Sequence, residues 1–139
     1  MKPVTATMLM LIAETCLSCT FSQEQETMRE QSIHQTVPAA EFQQKLAATQ
    51  GELLDVRTPE EYAEGHLEGA NLLNFYDSDF SVKLKALPKD KTYFVYCRSG
   101  GRSGKTLGMM KDAGFQVVYD LGGGITAWKA EGLPLAAEK

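Results

Sequence analysis

Residues Tyr93–Ser103 read YFVYCRSGGRS, and a run with helical spacing follows over residues 104–113. The first four residues favour β-structure and predict a short buried strand that ends at Cys97. Gly100 and Gly101 then let the backbone bend without a Cβ clash. The stretch therefore predicts a cysteine at the carboxyl end of a strand, enclosed by a glycine-containing loop and backed by the N-terminus of a helix.

The charges that follow Cys97 are all positive as far as residue 111, although the whole chain has a net charge of −4. They are Arg98, Arg102, Lys105 and Lys111. Two nearby arginines, the helix dipole and the N–H groups of the loop all favour a thiolate and predict a lowered pKa for Cys97. A small basic patch on an acidic protein predicts a small anionic substrate, because nucleic acid requires a broader basic surface. The alternative is a structural cysteine followed by a helix with a solvated cationic face.

Cys97–Ser103 resembles the active-site loop of the rhodanese sulfurtransferases, and in particular that of the single-domain members. Three further stretches support the resemblance. Leu53–Tyr62 (LLDVRTPEEY) is similar to the family's first signature, and Gly65–Ala70 (GHLEGA) resembles its Gly-His-Ile-Pro-Gly-Ala turn with two positions changed. Leu121–Trp128 resembles its C-terminal stretch. The resemblance extends over roughly residues 32–134.

The resemblance implies a rhodanese-like α/β fold with a five-stranded, mostly parallel sheet and helices on both faces. It also implies that Cys97 is the catalytic nucleophile, which takes sulfur from a donor as a persulfide and passes it to cyanide or a thiol. Backbone N–H groups of the loop would stabilise the anionic sulfur, and Arg98 and Arg102 would hold the donor's oxygens. The expected substrate-binding residues are Arg98, Ser99, Gly100, Gly101, Arg102 and Ser103. No metal and no cofactor is expected.

Three classes of function are compatible with the Cys97 loop. The first is a sulfurtransferase of the thiosulfate type, and the second is a non-catalytic rhodanese-like binding module, although such modules often lack the cysteine. The third is a phosphatase or arsenate reductase, whose related loop is one residue longer and has arginine six places after the cysteine. Here Arg102 occupies the fifth place and Ser103 the sixth. The shorter loop favours sulfur transfer.

Short strands alternate with helices after residue 32, which predicts a parallel sheet covered on both faces. We expect strands at residues 33–36, 53–57, 70–73, 93–96 and 115–119. We expect helices at residues 39–48 (with Pro38 in the first turn and Gly51 as the stop), from Thr58 to Gly65, within 75–87, at 104–113 and after Gly122–Gly124. Ligands of such sheets bind beyond the carboxyl ends of the strands.

Asp55 and Arg57 are expected to support the site. They lie two residues apart in one predicted strand, so their side chains point to the same face. Both lie at the carboxyl end of that strand, which places them on the same side of the sheet as Cys97. A structural ion pair between them is the favoured interpretation. His66 lies in a turn and is expected to be structural.

Residues 1–31 differ from the rest of the 139-residue chain, whose 43% hydrophobic and 23% charged residues fit one globular domain. Residues 4–13 (VTATMLMLIA) are too short to span a bilayer and suit the hydrophobic region of a signal peptide. We expect a leader at 1–22, a polar linker at 23–31, the domain at 32–135 and a tail at 136–139. The leader would be cleaved after Ser22 or lipidated at Cys19; the alternative is a flexible N-terminal tail.

The expected location is therefore the bacterial cell envelope, or the cytoplasm if the leader is absent. Loss of the leader would remove Cys16 and Cys19 and leave Cys97 as a single thiol. The expected partners are a small anionic sulfur donor and a thiophilic acceptor, which includes a thiol-bearing protein. No nucleic acid is expected, a membrane is expected only through a lipid anchor at Cys19, and the protein is expected to be a monomer.

Overall fold

The computed structural model describes residues 32–136, in which five strands alternate with five helices. The strands are β1 (Ile33–Val37), β2 (Glu52–Asp55), β3 (Asn71–Leu72), β4 (Thr92–Tyr96) and β5 (Val117–Leu121). The helices are α1 (Ala39–Ala48), α2 (Pro59–Ala63), α3 (Phe80–Lys85), α4 (Gly101–Asp112) and α5 (Gly124–Ala130). The sheet has the order β1-β5-β4-β2-β3, and every neighbouring pair is parallel. The predicted α/β class is confirmed.

The central strand β4 supplies side chains to both faces of the sheet, because successive residues of a strand point in opposite directions. Phe94 and Tyr96 pack in the cluster that holds Phe42 of α1 and Trp128 of α5. Tyr93, Val95 and Cys97 belong to the opposite cluster, which contains Phe80 and Leu84 of α3 and Met110 of α4. The continuous burial of β4 therefore comes from helices on both sides, and Cys97 lies on the side that α4 covers.

The helix after the cysteine begins three residues earlier than the sequence predicts. Gly100 has a φ of 100° and occupies the N-cap position, so α4 starts at Gly101 instead of residue 104. The glycines read as loop because of their low helix propensity. The left-handed conformation of Gly100 reverses the chain at once, and Arg102 and Ser103 consequently lie in the first helical turn.

Two predicted strands are displaced for identifiable reasons. The last strand runs from Val117 to Leu121 instead of 115–119, because the N–H of Phe115 donates to Met110 O at 3.1 Å and closes the end of α4. The second strand ends at Asp55, two residues before the prediction. The N–H of Arg57 is taken by a carboxylate oxygen of Asp55 at 3.0 Å and leaves the sheet.

The boundaries of α1 are those predicted, but the residues at its ends act differently. Pro38 is the N-cap rather than a residue of the first turn, and Thr49 in an extended conformation ends the helix before Gly51 is reached. Gly51 serves a packing purpose instead. A Cβ there would lie 2.6 Å from the ring of Phe94, so glycine is required for the close approach of that core side chain.

The N-terminus of α5 rests directly on the loop that follows β4. The N–H of Ile125 donates to Cys97 O at 2.9 Å, and the N–H of Thr126 donates to Arg98 O at 3.1 Å. A Cβ on Gly124 would lie 2.5 Å from the carbonyl groups of Cys97 and Arg98, and the φ of Gly124 is +60°. Only glycine fits both requirements, so this residue permits the contact between helix and loop.

The predicted leader and linker, and most of the predicted tail, lie outside the described residues. Within residues 32–136, no helix combines the length and the apolar character that a bilayer span requires. The same part of the chain holds no group of three or more His, Cys, Asp or Glu side chains placed to bind a metal ion.

We predict that Gly124→Ala lowers the free energy of unfolding by about 2–4 kcal/mol, because it adds both backbone strain and a clash with the loop carbonyls. Gly108→Ala is the matched control, since a Cβ there meets nothing within 4 Å. In the interior of α4 that change should stabilise the protein by about 0.5–1 kcal/mol. Urea denaturation measures both values. Equal effects of the two substitutions would contradict the close approach of α5.

Candidate active site

The loop from Cys97 to Gly100 is shaped by contacts at both of its ends. Cys97 directly follows β4, and its carbonyl is held by the N–H of Ile125. At the other end, Gly100 O accepts the N–H of Gly104 at 2.9 Å, which joins the loop to the first turn of α4. The carbonyls of Cys97 and Arg98 are thus occupied by α5. The N–H groups that follow are free to face the sulfur.

The Cys97 thiol is surrounded by neutral hydrogen-bond donors. The N–H of Gly100 donates to Sγ at 3.1 Å, and Ser103 Oγ donates to it at 3.4 Å. The residue is only 1% exposed, and this burial raises the pKa of the thiol. Hydrogen bonds from the Ser103 hydroxyl and from the N–H groups of Ser103, Gly100 and Ser99 outweigh burial, so the pKa lies below its ordinary value. The loop therefore stabilises an anionic sulfur.

The two predicted site arginines lie in different surroundings. The guanidinium of Arg102 forms a two-pronged pair with Glu61, with distances of 2.7 and 2.8 Å from Nη1 and Nη2. This pairing lowers the pKa of Glu61 to about 2. The side chain of Arg98 is exposed. The oxygens of a sulfur donor would thus have to compete with the carboxylate of Glu61 in order to contact Arg102 as expected. Arg98 is the more accessible of the two cations.

Asp55 and Arg57 are joined in a buried ion pair, as their spacing predicts. Arg57 Nη2 lies 2.6 Å from Asp55 Oδ2, and Nε bonds both carboxylate oxygens. Burial lowers the pKa of Arg57. The hydrogen bonds to Asp55 raise it by a larger amount, so the net shift is upward. Tyr96 O–H donates to the same carboxylate at 2.6 Å and accepts the N–H of Leu67 at 3.1 Å. This network anchors the segment after α2 to the end of β4.

A cavity of about 210 Å³ opens beside the cysteine loop. It is lined by Arg57, Glu61, Glu64, Arg98, Ile125, Thr126 and Lys129, and not by Cys97 itself. Arg98 neighbours Cys97 in the chain, and Thr126 Oγ1 donates to Arg98 O at 2.9 Å. A small charged molecule in this cavity would therefore lie next to the loop. Since Arg57 and Glu61 are paired elsewhere, Arg98 and Lys129 are the exposed cations available to it.

The structure identifies two site residues that the sequence did not. One is Glu61, the partner of Arg102. The sequence places it only in the first turn of a predicted helix, and in the structure it also completes a capping box with Thr58 at the start of α2. Tyr96 links Asp55 to Leu67, whereas its sequence context indicates only strand packing. His66 stacks on Tyr62 with ring centroids 3.7 Å apart, and its Nδ1 lies 3.0 Å from Tyr62 O, which agrees with a structural role.

Comparisons with known proteins show which family the chain resembles. A family model described as a rhodanese-like domain matches residues 38–131. A sulfurtransferase of Allochromatium vinosum is 36% identical over 102 residues, which span 73% of this chain and 94% of that protein. Thiosulfate sulfurtransferase 16 of Arabidopsis thaliana, a chloroplastic protein, is 40% identical over 94 residues, with 60% of this chain and 78% of that protein covered. The crystal structure of a rhodanese-related protein from Thermoplasma volcanium superposes with a TM-score of 0.66 at 31% identity, covering 75% of this chain and 99% of that chain.

We predict that Ser103→Ala raises the pKa of Cys97 by about one unit, because a hydrogen bond to a charged group contributes roughly 1.5–3 kcal/mol. The rate of alkylation by iodoacetamide, followed against pH, gives the midpoint. Ser99→Ala is the control, since Ser99 acts on the sulfur through its backbone N–H. Its midpoint should equal that of the wild type. A Ser103→Ala midpoint that does not move would show that the hydroxyl does not stabilise the thiolate.

Proposed function

The chain belongs to the rhodanese-like domain family, and on that premise we propose that it is a sulfurtransferase that works through a Cys97 persulfide. The proposal rests mainly on one observation: the Sγ atom of Cys97 receives hydrogen bonds from both Gly100 N–H and Ser103 Oγ. These donors favour the thiolate, which is the form that attacks sulfur. They also suit a persulfide anion, because they are fixed before the reaction.

In the first half of the proposed reaction, the thiolate attacks the outer sulfur of a donor such as thiosulfate. A new S–S bond forms at Cys97, the S–S bond of the donor breaks, and sulfite leaves with the bonding electrons. The negative charge then resides on the outer sulfur of the persulfide. The N–H groups of Ser99, Gly100 and Ser103 all come from the loop or from the first turn of α4. When the negative charge moves from Sγ to the outer sulfur, it therefore stays close to these donors.

In the second half, an acceptor such as cyanide or a thiolate attacks the outer sulfur of the persulfide. The S–S bond at Cys97 breaks, and the electron pair returns to Sγ as the thiolate. The cavity beside the loop would hold a small acceptor next to Arg98, the residue that directly follows Cys97. The reaction needs neither a net oxidant nor a proton from the loop.

The two arginines are proposed to have different tasks. Arg98 is exposed and lines the cavity, so its charge is available to attract an anionic donor. Arg102 is fixed by Glu61 in the first turn of α4, immediately before Ser103. Its loss would release both α2 and the start of α4, and would therefore disturb the position of the Ser103 hydroxyl.

We predict that the protein forms thiocyanate from thiosulfate and cyanide, and that Cys97→Ser does not. Arg98→Ala should raise KM for thiosulfate about tenfold with little change in kcat, as expected when an exposed charge-assisted contact is lost. Arg102→Ala should also lower kcat by about tenfold or more, because the loop loses its support. Lys105→Ala removes an exposed cation from the same helix and serves as the control.

Three results would contradict these assignments. Indistinguishable kinetics for Arg98→Ala and Arg102→Ala would show that the arginines do not differ in task. If the wild type forms no thiocyanate from thiosulfate or from other sulfane sulfur donors, the protein is a non-catalytic binding module and not an enzyme. Hydrolysis of aryl phosphates would favour the phosphatase alternative.

We further propose that the domain works in the bacterial cell envelope, on the evidence of the apolar run at residues 4–13 alone. N-terminal analysis of the protein from its native cell tests this. A mature form that begins at Gln23 is expected for a cleaved signal peptide, whereas a lipidated form that begins at Cys19 would be found with membranes. Recovery of an intact Met1 form from the cytosol would overturn both.

A further inference from the structure

The cavity beside the cysteine loop is lined by five charged side chains, and two of them are already paired. Arg57 binds the buried Asp55, with Nη2 2.6 Å from Oδ2. Glu61 binds Arg102, with Oε2 2.7 Å from Nη1. Because each of these two charges has an opposite charge at hydrogen-bond distance, neither is the main attraction for a ligand.

The other three charged side chains are exposed, and within residues 32–136 they take part in no ion pair. They are Glu64, Arg98 and Lys129. Each comes from a different element: Glu64 directly follows α2, Arg98 lies in the cysteine loop, and Lys129 lies in the last turn of α5. The fold thus brings two unpaired cations and one unpaired carboxylate of the described chain to a single cavity.

The positions of the two cations are linked through α5. Thr126 binds Arg98 O twice, through its N–H at 3.1 Å and through Oγ1 at 2.9 Å. Lys129 follows Thr126 by three residues and Ile125 by four, so the three share one face of the helix, and all of them line the cavity. The contact that fixes the backbone of the cysteine loop therefore also sets the place of Lys129 relative to Arg98.

The carboxylate is placed by the end of α2. Glu64 is the C-cap of that helix, and its N–H donates to Glu60 O at 3.2 Å. It follows Glu61 by three residues and lies on the same face of the helix. Two hydrogen bonds join Glu61 to Arg102 of α4. Glu64 therefore reaches the cavity from a helix that is itself attached to α4.

The unpaired charges match neither a simple anion nor a simple cation. A simple anion would be attracted by Arg98 and Lys129 but repelled by Glu64, and a simple cation would meet the reverse. A molecule with both a carboxylate and an ammonium group can pair with all three. At about 210 Å³, the cavity is also smaller than the roughly 300–1,000 Å³ of pockets for drug-sized ligands, so it suits a group of amino-acid size.

We propose that the cavity binds the charged end of the sulfur acceptor and that this acceptor is a small thiol of the amino-acid class, with its carboxylate at Arg98 and Lys129 and its ammonium group at Glu64. The inference rests on the proposed function, because it names the acceptor of the second half of that reaction. The acceptor thiolate forms an S–S bond to the outer sulfur as the S–S bond at Cys97 breaks. The electron pair returns to Sγ, the acceptor leaves as a persulfide, and the total charge is unchanged.

The cavity adjoins the reacting sulfur but does not contain it. Cys97 is not part of the lining, whereas Arg98, the next residue, is. The outer sulfur of a persulfide lies about 2 Å beyond Sγ. The charged end of the acceptor would occupy the cavity while its thiol extends to that outer sulfur. Arg98 would then serve two ligands in succession, the donor before the persulfide forms and the acceptor afterwards.

The direct test measures how fast the isolated persulfide form loses its sulfur to four thiols, compared by intact mass at equal thiolate concentrations. Cysteine carries both charged groups, mercaptopropionate only the carboxylate, cysteamine only the ammonium group, and mercaptoethanol neither. Each exposed ion pair should lower the half-saturating concentration about three- to fivefold. Cysteine should therefore saturate at a concentration about tenfold or more below that of mercaptoethanol. Equal values for the four thiols would overturn the proposal.

Charge variants assign the contacts. Lys129→Gln should raise the half-saturating concentration about three- to fivefold for cysteine and mercaptopropionate, without weakening cysteamine or mercaptoethanol. Glu64→Gln should do the same for cysteine and cysteamine, without weakening mercaptopropionate. Lys105→Gln and Glu60→Gln are the matched controls, because both side chains are exposed and neither lines the cavity. Effects of Lys129→Gln and Glu64→Gln that are equal for all four thiols would overturn the assignment.

Binding of S-methylcysteine separates this inference from the proposed function, since that molecule has both charged groups but no thiol to accept sulfur. We expect it to shift the NMR signals of Arg98 and Lys129 in the wild type, and Lys129→Gln should require a concentration about three- to fivefold higher. Absence of binding in a protein that forms thiocyanate would refute the acceptor site alone. Binding in a protein that forms no thiocyanate would refute the proposed function and leave the binding site in place.

Discussion

The site depends on the contact between the N-terminus of α5 and the backbone of the cysteine loop. The N–H groups of Ile125 and Thr126 occupy the carbonyls of Cys97 and Arg98, and Gly124 lets the helix approach so closely. With those carbonyls engaged, the N–H groups that follow in the loop can face the sulfur. A segment 27 to 29 residues after the cysteine in the chain thus determines which groups can bond to the sulfur. The glycine there is a requirement of the active site as well as of the fold.

Two opposing effects set the pKa of Cys97: burial raises it, and hydrogen bonds from the loop lower it by more. A thiol that is 1% exposed would ordinarily be held neutral by desolvation. Neutral donors at short range lower the pKa of the thiol, because each hydrogen bond acts on the sulfur directly. Arg98 lines the neighbouring cavity, and Arg102 in the first turn of α4 pairs with Glu61.

Local patterns in the sequence predict the fold class, the sequence of strands and helices, and the place of Cys97 at the end of β4. Contacts between distant segments are what local patterns cannot supply. Arg102 and Glu61, which form an ion pair, are 41 residues apart in the chain. Asp120 lies in β5, which begins and ends two residues later than the sequence predicts. The early start of α4 depends on the left-handed conformation of Gly100. In the sequence alone, the same glycine is equally typical of a loop. The family resemblance singles out Cys97–Ser103 as the candidate site, and the structure adds which groups those side chains contact.

The most direct test of the whole account is the intact mass of the protein after incubation with thiosulfate. The wild type should gain the mass of one sulfur atom, and cyanide should remove it with release of thiocyanate. Cys97→Ser should show neither change. A wild type that gains no cyanide-removable sulfur, or a Cys97→Ser variant that still gains it, would contradict a loop built to hold a persulfide at Cys97.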